Sequence, residues 1–429
     1  MVAFVFRQLI NRRKSNIWLA VALMIIFCFV WYIVDFLFVL GYNRLIPSYQ
    51  HLENTYLLNI GVLPEDNPSY QPEEPEEVAQ NYFRLINRLK QHPSVEAVGI
   101  SLYQSYPESG SLSSDGYMNP EDSTKTVSAQ KISILPQGDY LNVFAHTQEK
   151  GKKDVSIADF DWSDPNAVVI SQLVANKLFP DGFAVGKQIK ETHGEEVYTI
   201  KGVIDDTKRF WFERPRPYII LSESVKEEEL PYVTDIMIRI KDNPMKTDFI
   251  PAFKKEMAGA LAIGNLYLNN VTSFQTIRDN IDFMYGIKNK IQTHFIMMIF
   301  FLFNIMLCLV GTFWYRVEAR KEEIGIHRAL GGTALTIRKL FFAEGIIILT
   351  LVMFPALLIE FQFIHFDMIE TMGVNDITKG LYLPDKTILR FLITNVLTWF
   401  ILAVIIIVSI WYPALAAGRI QPVEALRDE

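Results

Sequence analysis

Apolar positions along the chain are gathered into four long blocks separated by polar segments. Residues 17–34, 295–315 and 391–418 are uncharged runs long enough to cross the hydrocarbon core of a bilayer as helices. The block at 345–359 is shorter and needs the apolar residues on both flanks to reach across. The pattern therefore predicts four transmembrane helices.

The polar stretch between the first and second blocks is long enough to form a domain of its own. It alternates amphipathic helical patterns with short apolar strand patterns, as α/β and α+β domains do. We expect an α-helical membrane protein with four transmembrane helices in a 1+3 arrangement and a large extracytoplasmic α/β (α+β) domain between helices 1 and 2. The expected parts are a cytoplasmic N-terminal amphipathic segment (1–16), transmembrane helix 1 (17–42), the outer domain (43–290), transmembrane helix 2 (291–315), a cytoplasmic loop (316–339), transmembrane helix 3 (340–361), a short outer loop (362–388), transmembrane helix 4 (389–411) and a cytoplasmic C-terminal tail (412–429).

The orientation follows from the basic residues that flank the spans, because short cytoplasmic loops are enriched in Lys and Arg. One side of the membrane collects Arg7, Arg12, Arg13, Lys14, Arg316, Arg320, Lys321, Arg328, Arg338, Lys339, Arg419 and Arg427, whereas the loop between the third and fourth spans has only Lys379, Lys386 and Arg390. We therefore expect a multi-pass protein of the cell inner membrane, with both termini in the cytoplasm and residues 43–290 outside.

Local patterns within the outer domain predict its elements. Residues 78–89 show a helical apolar stripe, whereas residues 104–127 are rich in Ser, Gly, Pro and Asp and suggest a loop. Residues 140–145 suggest a strand. A helix over 273–289 is expected to run into the second span without a break, as a rigid lever, and the last span is expected to end before Pro413. In the loop between the second and third spans, Gly331 and Gly332 are expected to stop a short helix and Thr333 to cap the next one.

Composition and motifs argue against an enzyme. The net charge of −7 excludes a dominant basic face for nucleic acid, and both cysteines, Cys28 and Cys308, fall in apolar runs. The chain has no phosphate-binding loop, dinucleotide fingerprint, zinc-protease motif or nucleophile elbow. We therefore expect a non-catalytic chain that holds no metal or cofactor. The acids Asp35, Glu344 and Glu360 lie in or near apolar runs and are expected close to the membrane interfaces.

Three phrases resemble the FtsX-like permease family of ABC transporters, of the macrolide-exporter type with a MacB-like periplasmic core domain. They are EIGIHRALGG at 323–332, the ending YPALAAGRIQPVEALRDE, and NAVVISQLVANKLFPDGFAVGKQIK followed by YTIKGVIDD in the outer domain. The chain departs from the family phrases at His327, Leu415 and Ala416, where basic residues are usual. The resemblance places no fused ATPase on this chain.

The resemblance implies a mechanism in which force, rather than solute, crosses the membrane. A separate ABC ATPase subunit would bind ATP and Mg and dock under the cytoplasmic loop, and a second permease would complete a homodimer or a paralogous heterodimer. A periplasmic adaptor or outer-membrane component is a further expected partner, besides the lipid bilayer. Ile324 and Leu330 would insert apolar contacts into the ATPase, Glu323 and Arg328 would set polar register, and the glycines would permit close approach. The residues expected to couple to the ATPase are Glu323, Ile324, Gly325, Arg328, Ala329, Leu330 and Gly331.

Export or extraction of a periplasmic substrate is the favoured role at this stage. Two alternatives remain open, an FtsX-like regulator of a cell-wall hydrolase and a ligand-sensing partner of a signalling kinase. The sequence does not identify the cargo.

Overall fold

A computed structural model describes residues 13–48, 50–111, 113–145, 160, 162, 164–180, 182–241, 249–365 and 387–420. The predicted N-terminal amphipathic segment, most of the 362–388 loop and the end of the C-terminal tail lie outside the described residues. The chain forms two compact units, one of Met1–Tyr42 with Gly286–Glu429 and one of Asn43–Tyr285.

The elements follow one another in an order that separates long helices from a central run of strands. They are α1 (Arg13–Leu45), β1 (Thr55–Val62), α2 (Pro75–Lys90), β2 (Val95–Leu102), β3 (Ser114–Asn119), β4 (Asp122–Ile134), α3 (Tyr140–Val143), β5 (Ala167–Ser171), α4 (Gln172–Leu178), β6 (Gln188–Glu191), β7 (Val197–Ile204), β8 (Tyr218–Ser222), a 3₁₀ turn (Glu227–Glu229), α5 (Leu230–Val233), β9 (Thr234–Ile240), α6 (Phe249–Ala260), β10 (Leu266–Ser273), α7 (Phe274–Met284), α8 (Ile287–Glu318), α9 (Lys321–Ala329), α10 (Ala334–His365) and α11 (Thr387–Arg419).

Four of these helices, α1, α8, α10 and α11, are long and apolar enough to cross a membrane, which confirms the predicted fold class. Because an apolar bilayer cannot hydrogen-bond exposed backbone groups, such segments are stable only as uninterrupted helices. They bury a shared apolar core whose members include Phe27, Leu309, Phe313, Leu349 and Ile406.

The outer unit is built on a ten-stranded sheet in the order β10-β1-β9-β2-β4-β3-β6-β7-β5-β8. Strand β8 also pairs in parallel with β4, so the pairings of β3 to β8 close into a ring. The inside of that ring holds an apolar core that includes Tyr117, Ile170, Ile200 and Ile219. A second core lies where α2 and α6 cover the other strands.

Helix α2 confirms the helical stripe predicted around residues 78–89. A capping box between Glu74 and Glu77 begins it, and Pro75 occupies the first turn, where its missing N–H is not needed. Tyr82 and Leu89, among other stripe residues, are fully buried. The 3.6-residue period therefore placed this helix and its buried face correctly.

Several local predictions were wrong. The polar stretch at 104–127 contains β3 and the start of β4, because cross-strand pairing and burial of Tyr117 override weak strand propensity. Residues 140–143 form the short helix α3 instead of a strand, since consecutive buried side chains there face one core without alternating. Pro413 lies inside α11, which continues to Arg419. A membrane-spanning helix tolerates such a proline when neighbouring groups compensate its lost bond.

The predicted continuous lever from the outer domain into the second span is also interrupted. Helix α7 ends at Met284, and α8 begins at Ile287. Between them Gly286 has a φ of +62°, a left-handed conformation that stops a right-handed helix. The connection to the second span therefore consists of two separate helices.

Candidate functional site

The cytoplasmic loop of the prediction contains the short helix α9, whose ends are defined by local chemistry. Its first intrahelical bond runs from the Ile324 amide to the Arg320 carbonyl at 2.9 Å. At the other end Gly331 adopts a φ of +93° and stops the helix, and the Gly332 amide bonds the His327 carbonyl at 2.9 Å. Thr333 then caps α10 by accepting a bond from the Thr336 amide at 3.2 Å. The predicted glycine stop and threonine cap are confirmed.

A buried ion cluster anchors the start of α9 to the membrane unit. Arg320, the residue before the helix, places Nη1 and Nη2 at 2.9 and 3.3 Å from the two Glu344 carboxylate oxygens. Arg316, at the end of α8, donates to the same carboxylate at 2.5 Å. All three side chains are almost completely buried. Breaking such a pair leaves an uncompensated buried charge, so the cluster fixes α8, α9 and α10 together.

A second contact anchors the end of α9. Arg328 Nη1 donates to the Gly418 carbonyl, at 2.5 Å, near the end of α11. A Cβ at Gly418 would lie 3.2 Å from Arg338 and 3.3 Å from Ala334, so glycine permits this close approach to the start of α10. The coupling helix, by which we mean α9, is therefore tied to α8, α10 and α11.

The outward face of the coupling helix carries exposed apolar side chains. Ile326 is 50% exposed and Leu330 is 82% exposed, whereas Ile324 is only 6% exposed and belongs to the core of the membrane unit. Residues 326 and 330 are one helical turn apart, so they lie on the same side. Exposed apolar residues on one face are the expected form of a protein-docking surface.

In the outer unit, a second set of polar contacts surrounds the segment Thr207–Glu213, which we call the linker segment. Lys208 Nζ donates to the Asn43 carbonyl at 2.6 Å, and Asn43 Nδ2 donates to the Phe212 carbonyl at 3.0 Å. Trp211 Nε1 donates to Asp282 Oδ1 of α7 at 2.7 Å. The segment thus ties the residues through which the chain enters the outer unit to the helix through which it leaves.

Arg209 adds a contact from the linker segment to a surface turn. Its guanidinium donates to three successive carbonyls, those of Ser109, Gly110 and Ser111, at 3.0, 2.7 and 3.1 Å. It also stacks over the Phe210 ring at 4.6 Å. Burial lowers the pKa of Arg209, but the side chain remains a cation because guanidinium pKa values start above 12.

Burial raises the pKa of two carboxyl groups, one in the linker segment and one beside it. Burial raises the pKa of Glu108 to about 7, and Arg278, whose Nε lies 2.8 Å from Glu108 Oε1, opposes that rise. Burial also raises the pKa of Glu213 to about 7, against the charges of Arg216 and Arg209. Neither oxygen of Glu213 accepts a hydrogen bond within the described part of the chain. The surroundings of the linker segment are therefore sensitive to protonation between weakly acidic and neutral pH.

Two family models match the chain in adjacent stretches. One, described as the MacB-like periplasmic core domain, matches residues 19–249, and the other, described as the FtsX-like permease C-terminal region, matches residues 295–422. The first alone covers more than half of the sequence. The chain belongs to the FtsX/MacB-like family of ABC transporter permeases.

Solved structures of outer domains match this permease at low identity. The periplasmic region of MacB from Actinobacillus actinomycetemcomitans is 14% identical, with a TM-score of 0.31, and the match covers 54% of this chain and 94% of that one. The extracellular domain of the noncanonical ABC-type transporter YknZ from Gram-positive bacteria is 18% identical, with a TM-score of 0.30, and the match covers 51% of this chain and 100% of that one. No curated protein sequence matches the permease. The family assignment rests on the two sequence matches.

The predicted coupling residues of the permease do not all face the same way. Ile324 and Gly325 are buried, and Arg328 is half-buried against Gly418. The exposed members are Glu323, Ala329 and Leu330. The apolar insertion expected of Ile324 does not fit its burial, because the side chain already packs inside its own unit. Ile326, which sequence reasoning passed over, is the exposed isoleucine of this helix.

Sequence reasoning also missed the anchors of the coupling helix. Arg316 and Arg320 were considered only as basic residues that flank the spans, and Glu344 was expected near a membrane interface. The structure brings all three into one buried cluster. The available signal was a carboxylate at the start of an apolar run, opposite a loop with two arginines four residues apart. Within the described residues, no group of three or more metal-ligating side chains was found.

Proposed function

We propose that this permease is the non-catalytic transmembrane subunit of an ABC machine that converts the nucleotide cycle of a separate ATPase subunit into movement of its outer domain. ATP and Mg would be bound by the partner ATPase. The work is done on a substrate outside the inner membrane, by export or extraction. The exterior position of residues 43–290 and the cytoplasmic position of both termini are part of the proposal, supported by the distribution of Lys and Arg.

The observation that supports this proposal best is the coupling helix. It presents Ile326 and Leu330 outward, while Arg320 and Arg328 hold its two ends to α10 and α11. A partner that moves this helix must move the bundle with it, because releasing either anchor would expose unpaired polar groups in an apolar interior. Such a helix is suited to receive force from an ATPase.

Transmission to the outer domain is proposed to run mainly through α1. This helix is continuous from Arg13 to Leu45, and its last turn includes Asn43, which bonds the linker segment. The second connection, α8, is separated from α7 by the left-handed Gly286 and acts as a joint. Because α1 is continuous and α8 is separated from α7, a displacement of the membrane helices would tilt the outer domain.

A second permease is a further proposed partner, either an identical copy or a paralogue. Many apolar side chains of α8, including Ile296, Phe300 and Phe303, are exposed in the single chain, and lipid or a paired permease would cover them. A periplasmic adaptor or outer-membrane component is proposed for delivery of the substrate.

Co-purification tests the docking surface. The permease and its cognate ATPase, co-expressed and extracted in mild detergent, should form a complex that Ile326→Asp and Leu330→Asp each weaken by about tenfold or more, the effect of losing about 1.4 kcal/mol of binding free energy. Tyr232→Asp is the matched control, because Tyr232 is a 72% exposed aromatic of the outer unit. Complex formation that is unchanged in both coupling-helix variants would contradict the assignment. Ile324→Asp is unsuitable, since it places a charge in the membrane-unit core.

A further inference from the structure

The membrane unit contains a second buried polar cluster, at the opposite end of its helices from the coupling helix. Arg390, at the start of α11, donates through Nε to Asp35 Oδ1 of α1 at 2.8 Å and through Nη2 to the other carboxylate oxygen. Both side chains are buried, as are Glu360 near the end of α10 and Asn395 of α11. Asp35 and Glu360 were expected near the membrane interfaces, which stays a prediction, and the structure buries both among the helices.

Glu360 differs from every other carboxylate in the described part of the membrane unit. It is 0% exposed, and neither of its oxygens accepts a hydrogen bond. Asp35 is neutralised by Arg390, and Glu344 is neutralised by Arg316 and Arg320. An ionised carboxylate without a partner in an apolar bilayer costs several kcal/mol, so this arrangement is unstable unless Glu360 is neutral.

Asn395 is a polar neighbour of Glu360 on the adjacent helix. Its side chain lies beside Glu360. Its Nδ2 donates to the Phe391 carbonyl at 3.0 Å, and its Oδ1 has no donor within the described residues. The Asn395 amide is uncharged, so it does not balance a negative charge on Glu360, whereas a proton on the carboxyl group removes that charge.

The other charged and titratable neighbours favour the same state. Asp35 and Cys28 lie near Glu360 on α1, and Arg390 of α11 pairs with Asp35. Asp35 is an anion that disfavours a second negative charge nearby, and the Arg390 guanidinium already chelates Asp35 through two nitrogens. The positive charge of Arg390 therefore balances the negative charge of Asp35.

We propose that Glu360 is an intramembrane proton-binding site, in which the protonated carboxyl group packs beside Asn395 where α10 contacts α11. Loss of the proton leaves a buried anion without an ion-pair partner among the described residues, so the two helices must separate, or admit water, when the proton leaves. Protonation of Glu360 is therefore linked to the packing of the last two spans. This inference is independent of ATPase docking, because it concerns residues at the other end of the bundle.

Infrared spectroscopy of the full chain in lipid bilayers tests the proposal. Protonated carboxyl groups have a C=O stretch that is separate from the bands of carboxylates and amides. At pH 8, where Glu108 and Glu213 are mostly ionised, the wild-type chain should show this band and E360Q should lose it. Glu121→Gln, at an exposed site, is the matched control and should retain the band. A wild-type chain without the band, or a band unchanged in E360Q, would overturn the proposal.

Carbodiimide labelling of the wild-type chain gives a second measurement that does not depend on a variant folding. Hydrophobic carbodiimides add to protonated carboxyls in apolar surroundings and spare ion-paired carboxylates. After digestion and mass spectrometry, Glu360 should be modified more than about tenfold above Asp35 and Glu344, which serve as internal controls because both are ion-paired with arginine. Equal modification of the three acids, or none at Glu360, would contradict a proton at this site.

Discussion

At the scale of single residues, the permease uses burial to set the charge of its acids. Glu108 and Glu213 in the outer unit are buried with incomplete compensation, and burial raises the pKa of each to about 7. Glu344 in the membrane unit has two arginine partners instead. The same residue type is thus a permanent anchor in one setting and a titrating group in another.

Loss of the proton from Glu213 should make the outer unit less stable as pH rises. Its pKa is raised from 4.5 to about 7, so the folded state holds the proton more tightly than the unfolded state. The resulting stabilisation is fully present below about pH 4.5 and is lost as pH rises through about 7, on the order of 3 kcal/mol for this group. Glu213→Gln keeps the shape without the titration, so its melting temperature should fall less between pH 5 and 8 than that of the wild type.

Thermal unfolding followed by tryptophan fluorescence measures this difference, since Trp211 lies in the linker segment. The exposed Glu121→Gln serves as the control and should follow the wild-type pH profile. A Glu213→Gln variant that loses as much stability as the wild type would show that Glu213 is ionised throughout.

At the scale of elements, the sequence predicted those whose signals are local. The stripe of α2 and the glycine stop after α9 depend on residues within a few positions of one another, so periodicity and turn chemistry found them. Strand β3 was missed because its stability comes from β4 and β6, which its own polar sequence does not reveal. The break at Gly286 was missed because apolar periodicity continues on both sides of a single left-handed residue.

Gly286 should be intolerant of a side chain for conformational reasons alone. A Cβ there meets no atom within 4 Å, yet φ is +62°, where an L-residue is strained by about 1 kcal/mol or more. Gly259 in α6 is the matched control, with equal space and a helical backbone. Gly286→Ala should lower the melting temperature of the full chain. Gly259→Ala should raise the melting temperature slightly, because it adds roughly 0.5–1 kcal/mol to the free energy of unfolding.

A melting temperature that rises in both glycine variants would show that the α7–α8 junction straightens without cost. The joint would then be a rigid lever, as the sequence pattern had suggested. The comparison therefore decides between a jointed and a continuous connection to the second span.

At the scale of the whole molecule, hydropathy predicted the four spans and the inserted domain because a bilayer admits few alternatives to an apolar helix. The clusters inside the bundle could not be predicted. Arg390 and Asp35 are 355 positions apart, and Arg320 and Glu344 are 24 apart. No local pattern indicates which charges in separate spans meet, although each intramembrane acid marked a position that needed a partner.

The central claim is that movement passes from the coupling helix to the outer domain. The direct measurement is a spin-label distance between Tyr232→Cys sites of two paired permeases, in a chain whose Cys28 and Cys308 are replaced by serine, reconstituted with the ATPase in bilayers. We predict a distance distribution that changes when ATP is trapped on the ATPase, and that no longer changes in Leu330→Asp. An intact complex whose outer-domain distances are the same with and without ATP would contradict the account.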